Sequence, residues 1–244
     1  MKTVSIILPV HGQVPRLLAT LKRLCRQAGL LPFRAEVLVV APPGAKLGAR
    51  PARSNVPFVE LHVIEADPAR PAGNPTRRGV LASVGDYVLV LQEGSGVPLP
   101  ELLKLMPHFE RGAHVVVGSG YLGQAAARSH SWHLRLGHAL TSFLANQVLQ
   151  AGIRDMDAGF VCYAGPVARQ VFAMAQAAGR GVDLEALALA RQLGYTLVEV
   201  PVRSRPLHMR AAHRFVSAFR FLLDLLVVRW RTGGRRRRLA EQTT

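Results

Sequence analysis

Three short, nearly unbroken apolar runs, at residues 4–10, 37–40 and 87–91, constrain this chain more than any other feature. A strand with one face in water alternates apolar and polar residues. A run without alternation is buried on both faces, as in a parallel sheet enclosed by helices. Between the runs the spacing becomes helical. Pro15 opens a segment with Leu17, Leu18, Leu21 and Leu24 on one face and Lys22, Arg23 and Arg26 off it. The same reading predicts a loop at 41–57 and a half-buried strand at 58–64. Helices are expected at 75–84, 132–150, 167–178, 184–193 and 211–230, with further strands at 114–117 and 196–200. Alternating strands and helices predict an α/β fold with a mostly parallel, doubly wound sheet flanked by helices.

The length, 244 residues, suits one large domain with a substantial core. The formal charge of +16 implies an anionic partner: nucleic acid, anionic lipid or a phosphorylated substrate. Cys25 and Cys162 lie in apolar contexts without metal-ligand spacing and read as reduced thiols of a cytosolic protein. The first residues read as a strand rather than a signal peptide, and no apolar run is long enough for a transmembrane helix. His130, His133 and His138 lack Cys or carboxylate partners at metal-site spacing.

In parallel α/β sheets ligands bind outside the carboxyl ends of the strands. The run at Tyr87–Leu91 ends in Gln-Glu-Gly-Ser at residues 92–95, a polar, glycine-broken loop. A site for nucleotide diphosphates would place two carboxylates there to hold Mg²⁺ or Mn²⁺. Here Glu93 is the carboxylate and Ser95 stands where a second would be useful, so a divalent cation is expected only weakly.

Longer stretches carry a family resemblance. They are Ser-Ile-Ile-Leu-Pro-Val at 5–10, Glu-Val-Leu-Val-Val at 36–40, Gly-Val-Leu-Ala-Ser-Val-Gly-Asp-Tyr at 79–87 and Val-Val-Val-Gly-Ser-Gly-Tyr at 115–121. Ser142 with Asn146, Asp-Met-Asp-Ala-Gly-Phe at 155–160, Gly-Val-Asp-Leu-Glu at 181–185 and Gly-Tyr-Thr-Leu-Val-Glu-Val-Pro-Val at 194–202 complete the set. In this order and spacing they resemble family 2 glycosyltransferases of the GT-A fold, closest to the dolichyl- or polyprenyl-phosphate mannosyl- and glucosyltransferases. The resemblance implies an inverting transfer of a sugar from a nucleotide-sugar donor to a polyprenyl phosphate at the cytoplasmic face of the inner membrane.

The resemblance also distributes roles. Donor contacts fall on Pro9, His11, Gln13, Ala41, Gly73 and Asp86. Asp155, with Glu93, takes the catalytic position facing the sugar, and a cation would sit on Glu93 and Ser95. Asp157, Asp183 and Glu185 are further candidates. Each acid has a plainer reading: Asp155 as a turn cap, and Asp183 and Glu185 as acids at a helix start. Arg203, Arg205 and Arg210 match the family's acceptor-phosphate residues, and a solvated basic loop is the alternative. The chain departs from the family where the donor should bind. His11, Gly12 and Gln13 replace Tyr-Asn-Glu, and Ala41, Pro42, Pro43 and Gly44 replace Asp-Asp-Gly-Ser. Gly73, Asn74 and Pro75 replace a glycine-lysine-glycine stretch.

The sequence divides into a catalytic-type domain at 1–210, an amphipathic helix at 211–232 and a basic tail at 233–244. The helix suits either an anionic membrane interface or docking on the domain. Without aromatic interleaving or a recognition helix, the basic segments fit nucleic acid poorly. Two functional readings stand: an active transferase, or a catalytically silent homologue that keeps the fold to bind a partner or regulate.

Overall fold

The computed structural model describes residues 1–10, 21, 24, 26–29, 31–41, 59–65, 74–92, 95–122, 140, 142, 143, 146, 147, 152–156, 158–177, 179 and 181–204. Seven strands form one sheet: β1 (Thr3–Pro9), β2 (Arg34–Ala41), β3 (Val59–Glu65), β4 (Tyr87–Leu91), β5 (Val115–Ser119), β6 (Phe160–Ala164) and β7 (Leu197–Pro201). Their spatial order is β3-β2-β1-β4-β6-β5-β7. All neighbours pair in parallel except β6, which runs antiparallel to both β4 and β5. The helices are α1 (Pro75–Ala82), α2 (Met106–Glu110) after a 3₁₀ turn at Leu99–Lys104, α3 (Gly165–Met174) and α4 (Gly181–Gln192).

The apolar runs act as expected. Within β1, Ile7 packs on one face with Val80 of α1 and the buried side of α4, whereas Ile6 and Leu8 pack on the other with Leu21, Leu24, Leu99 and Leu102. Every residue from Val4 to Pro9 is buried, because a helical layer covers each face. Burying side chains of this size stabilises the fold by about 1.5–3 kcal/mol each. The outer strand β3 is only half-buried, as its alternation predicts.

β6 is the unexpected strand. Its Phe-Val-Cys-Tyr-Ala run was legible only as part of the 155–160 stretch, yet it fills the space between β4 and β5 with Cys162 and Tyr163 buried. Burial pushes the Cys162 thiol well above its ordinary value, which makes it an inert core group. The crossing from β6 into α3 is tight. A Cβ on Gly165 would lie 2.3 Å from the carbonyl oxygen of Gly85. At α1, Asn74 accepts from the Thr76 N–H at 2.9 Å and the Arg77 N–H at 3.3 Å, so Asn-Pro here is a helix start.

Several expected elements shift by up to four residues: β2 begins three residues earlier and ends at Ala41, placed in a loop, α3 begins two residues earlier and ends four earlier, and α4 begins three earlier than predicted. Of the helix expected at 132–150, residues 140, 142, 143, 146 and 147 are described and are helical. Cys25, the helix at 211–232 and the tail at 233–244 lie outside the described residues.

Candidate functional site

The parallel strands bring their carboxyl ends to one edge, and β6, running the other way, contributes its beginning there. Register places Leu91 opposite Phe160 and Ser119 opposite Pro201. Pro9 and Ala41 end β1 and β2 along the same edge. Gln92 follows directly from β4, its N–H donating to the Gly159 carbonyl at 2.9 Å. A Cβ on Gly159 would lie 2.9 Å from Cβ of Ser95 and 3.0 Å from Cβ of Gln92. Glycine at 159 therefore lets the loop after β4 lie against the start of β6.

Asp155 is held from two adjacent strands. The Ser119 hydroxyl, at the end of β5 and fully buried, donates to Oδ2 of Asp155 at 2.7 Å. From β7, Glu199 accepts the Arg154 N–H on Oε2 at 2.9 Å and the Asp155 N–H on Oε1 at 2.7 Å. One residue earlier, the Ile153 N–H donates to Oδ1 of Asn146 at 3.1 Å, and the Asn146 amide donates back to the Ile153 carbonyl. Ile153 and Met156 are buried on either side. Burial raises the Glu199 carboxyl above the ordinary glutamate range; the two amides oppose this, and the nearby Asp155 charge adds to it.

A second pair lies beside α4. The Gln92 side-chain amide donates to Oδ2 of Asp183, in the first turn of α4. Asp183 is thus linked to the loop after β4, while Glu185 turns into the core. There Oε2 of Glu185 accepts the Gln176 N–H at 2.7 Å and the Ala177 N–H at 2.6 Å, closing the turn after α3. Those bonds give Glu185 a structural task that a buried carboxylate needs.

The arginine segment begins at a buried acid. Glu101, 2% exposed, receives the Arg203 N–H on Oε2 at 2.9 Å, the Arg203 Nε–H on Oε1 at 2.7 Å and Lys104 Nζ on Oε2 at 2.5 Å. Burial alone would raise the Glu101 carboxyl, but Lys104 and the two Arg203 donors outweigh it and hold the group below its ordinary value. The Ser204 hydroxyl donates to the Ser95 carbonyl at 2.9 Å, tying the same segment to the loop after β4.

The structure therefore gathers Asp155, Asp183, Ser95, Pro9 and Ala41 along one edge, with Arg203 leading into it. Asp86 is not among them. It precedes β4 at the amino edge, accepts the Thr3 N–H at 2.8 Å, and borders a cavity of about 410 Å³ with Lys2, Tyr87 and Arg169. Glu93, His11, Gln13, Gly73, Asp157, Arg205 and Arg210 lie outside the described residues. Sequence reasoning passed over Gln92, Ser119 and Glu199. Gln92 is the first residue beyond the strand, beside the Glu93 and Ser95 that the cation reading singles out. Ser119 belongs to the 115–121 stretch and Glu199 to the strand expected at 196–200, neither with a site role.

Among the described residues no group of three His, Cys, Asp or Glu side chains could hold a metal ion. The Ser95 hydroxyl is a neutral group that accepts the Val97 N–H at 3.4 Å. A hard divalent ion needs several oxygen ligands, carboxylates among them. The described side chains do not fit one.

No protein-family model matches the chain. Among solved structures, it is similar to glucosyl-3-phosphoglycerate synthase from Mycobacterium tuberculosis in complex with uridine diphosphate, with TM-score 0.62 and 16% identity over 93% of this chain and 80% of that one. The same enzyme with Mn²⁺, uridine-diphosphate-glucose and glycerol 3-phosphate gives TM-score 0.61 and 18% identity over the same shares. This chain has the GT-A glycosyltransferase fold. At this identity the likeness carries the fold, and the chemistry must be argued from the edge itself.

Proposed function

We propose that the protein is a glycosyltransferase that moves a sugar from a nucleotide-sugar donor to a polyprenyl phosphate. The observation that carries this reading is the Asp155 assembly. A carboxylate fixed by Ser119 and by the Glu199-held loop lies on the carboxyl edge, where α/β folds bind ligands. In the transfer, a phosphate oxygen of the acceptor forms a bond to the anomeric carbon as the bond from that carbon to the donor's diphosphate breaks. The leaving electron pair stays on the nucleoside diphosphate. An acceptor phosphate is ionised at neutral pH, so no strong base is required. The protein's contribution is positioning and compensation of charge. Asp155 would face the sugar, and the segment starting at Arg203 would meet the acceptor phosphate, guanidinium groups suiting phosphate in bidentate geometry.

The similar structures support the donor class, since their ligands include uridine diphosphate and uridine-diphosphate-glucose, and Mn²⁺ in several cases. They were solved with glycerol 3-phosphate or phosphoglyceric acid, which share a phosphate with the lipid acceptor proposed here. Among the described residues no helix is long and apolar enough to cross a membrane. Access to a lipid phosphate would therefore come from the membrane surface, to which the +16 charge is suited.

A catalytically silent homologue is the second reading. It is favoured by Ala41, an uncharged residue only 1% exposed at the end of β2, and by the neutral Gln92 after β4. Isothermal titration with uridine and guanosine diphosphates, with and without Mn²⁺, separates the two. Binding in either condition supports the transferase. No heat with either nucleotide in both conditions overturns it.

A further inference from the structure

Glu199 makes little sense as a stability device. Two consecutive amides in an irregular loop do need acceptors, and a carboxylate can serve both at once. Yet the acceptor sits on a strand, partly buried, and burial together with the Asp155 charge opposes its ionisation more than the two amides and the Arg154 charge favour it. Placing like charges together in a desolvated site costs stability. Such a cost persists where a geometry is needed for something other than folding.

The surrounding contacts restrict residues 153–156 from several sides. Asn146 brackets Ile153, Ser119 fixes the Asp155 carboxylate from β5, and Ile153 and Met156 plug into the core. Glu199 is the contact that sets the backbone at Arg154 and Asp155. Because Val117 pairs with Glu199 and Ser119 with Pro201, the two groups holding Asp155 come from neighbouring strands whose spacing the sheet fixes. The Asp155 carboxylate is thereby referenced to the sheet rather than to its own loop.

We propose that Glu199 is a positioning residue that holds Asp155 for sugar transfer through the Arg154 and Asp155 amides. This inference rests on the transferase reading above. Glu199→Gln is the diagnostic variant. It keeps the shape but offers one carbonyl oxygen for two amides and turns an NH₂ group toward the other. It also removes the like charge beside Asp155. A purely structural Glu199 and a positioning Glu199 then predict different things.

The experiment compares wild type and Glu199→Gln in steady-state transfer from a nucleotide sugar to a phosphate acceptor, in thermal unfolding, and in amide hydrogen exchange over residues 152–156. The proposal expects kcat to fall at least tenfold, with KM for the donor within about twofold and the melting temperature within a few degrees. Exchange at Arg154 and Asp155 should rise severalfold while β7 stays protected. An unchanged kcat overturns the proposal, as does a loss of activity matched by the loss of folded protein. A wild-type protein that transfers no sugar overturns the transferase reading itself, and the inference falls with it. An active wild type with an equally active variant overturns the inference alone.

Discussion

The two edges of one sheet have been built on opposite terms. At the amino edge, the Ser5 hydroxyl donates to Glu36 at 2.5 Å and accepts the Gly85 N–H at 2.9 Å, while Asp86 takes the Thr3 N–H. Each acid there faces neutral donors, and Gly85 and Gly165 let backbones touch. At the carboxyl edge, β1 and β2 end in Pro9 and Ala41, and the acids crowd on the other side, Asp155 beside Glu199 and Asp183 on Gln92. At the amino edge the acids are tied to neutral donors of the sheet itself. The other edge sets like charges side by side, Asp155 against Glu199, between β5 and β7. The difference marks the carboxyl edge as the one to test in a sheet whose central strands are buried on both faces and whose outer strands β3 and β7 are only partly so.

Four substitutions probe this contrast. The largest effect is expected for Asp155→Asn, which preserves shape and an acceptor for Ser119. Sugar transfer should fall more than about 100-fold, or about 2.7 kcal/mol of transition-state stabilisation, with the fold retained by circular dichroism. Residual activity above a tenth of wild type would place the chemistry elsewhere. Gly165→Ala should do the reverse. Its Cβ meets a backbone carbonyl that cannot rotate away, so unfolding in urea should show a loss of roughly 2 kcal/mol while surviving protein keeps its nucleotide affinity.

Glu101→Gln should have a smaller effect. Lys104 and Arg203 are 45% and 76% exposed, which discounts the charge contribution and leaves a loss of about 1–2 kcal/mol. The sign with pH follows from the lowered Glu101 value. Its contribution is complete above the ordinary glutamate pKa and is lost as pH falls through the depressed folded value. Wild type should therefore lose stability relative to the variant in strong acid, and parallel urea midpoints from pH 7 down to pH 3 would refute the assignment. The smallest effect is expected for Gln92→Asp, which sets a carboxylate against Asp183. It should destabilise by under about 1 kcal/mol without metal, with millimolar Mn²⁺ restoring the loss and leaving wild type unchanged. A variant indifferent to Mn²⁺ would show that these two positions cannot build a cation site.

Much of this was legible in the sequence. The nearly unbroken runs at β1, β2 and β4 were legible as strands buried on both faces because they are short, rich in β-branched residues and set between helical patterns. Asp155 could be picked out because an acid before a glycine and a buried strand stood among matching motifs. β6 was harder: five apolar residues between glycines fit a strand or a helix turn equally, and only pairing with β4 and β5 decides. Ser119 and Glu199 were out of reach for a different reason. Their role exists only when β5 and β7 lie side by side, 80 residues apart in sequence at Ser119 and Glu199. Asp86 came in through the resemblance alone: standing before β4, it lies at the amino edge, away from the carboxyl ends of the strands.

The account stands or falls on transfer itself. Purified full-length protein, incubated with uridine- and guanosine-diphosphate sugars, Mn²⁺, and either a polyprenyl phosphate in anionic vesicles or 3-phosphoglycerate, should convert donor to nucleoside diphosphate only when an acceptor is present, with the lipid preferred. Sugar incorporated into the lipid by wild type and lost in Asp155→Asn is the predicted result. No incorporation into either acceptor from any donor would contradict the account and leave the silent homologue as the reading of this fold.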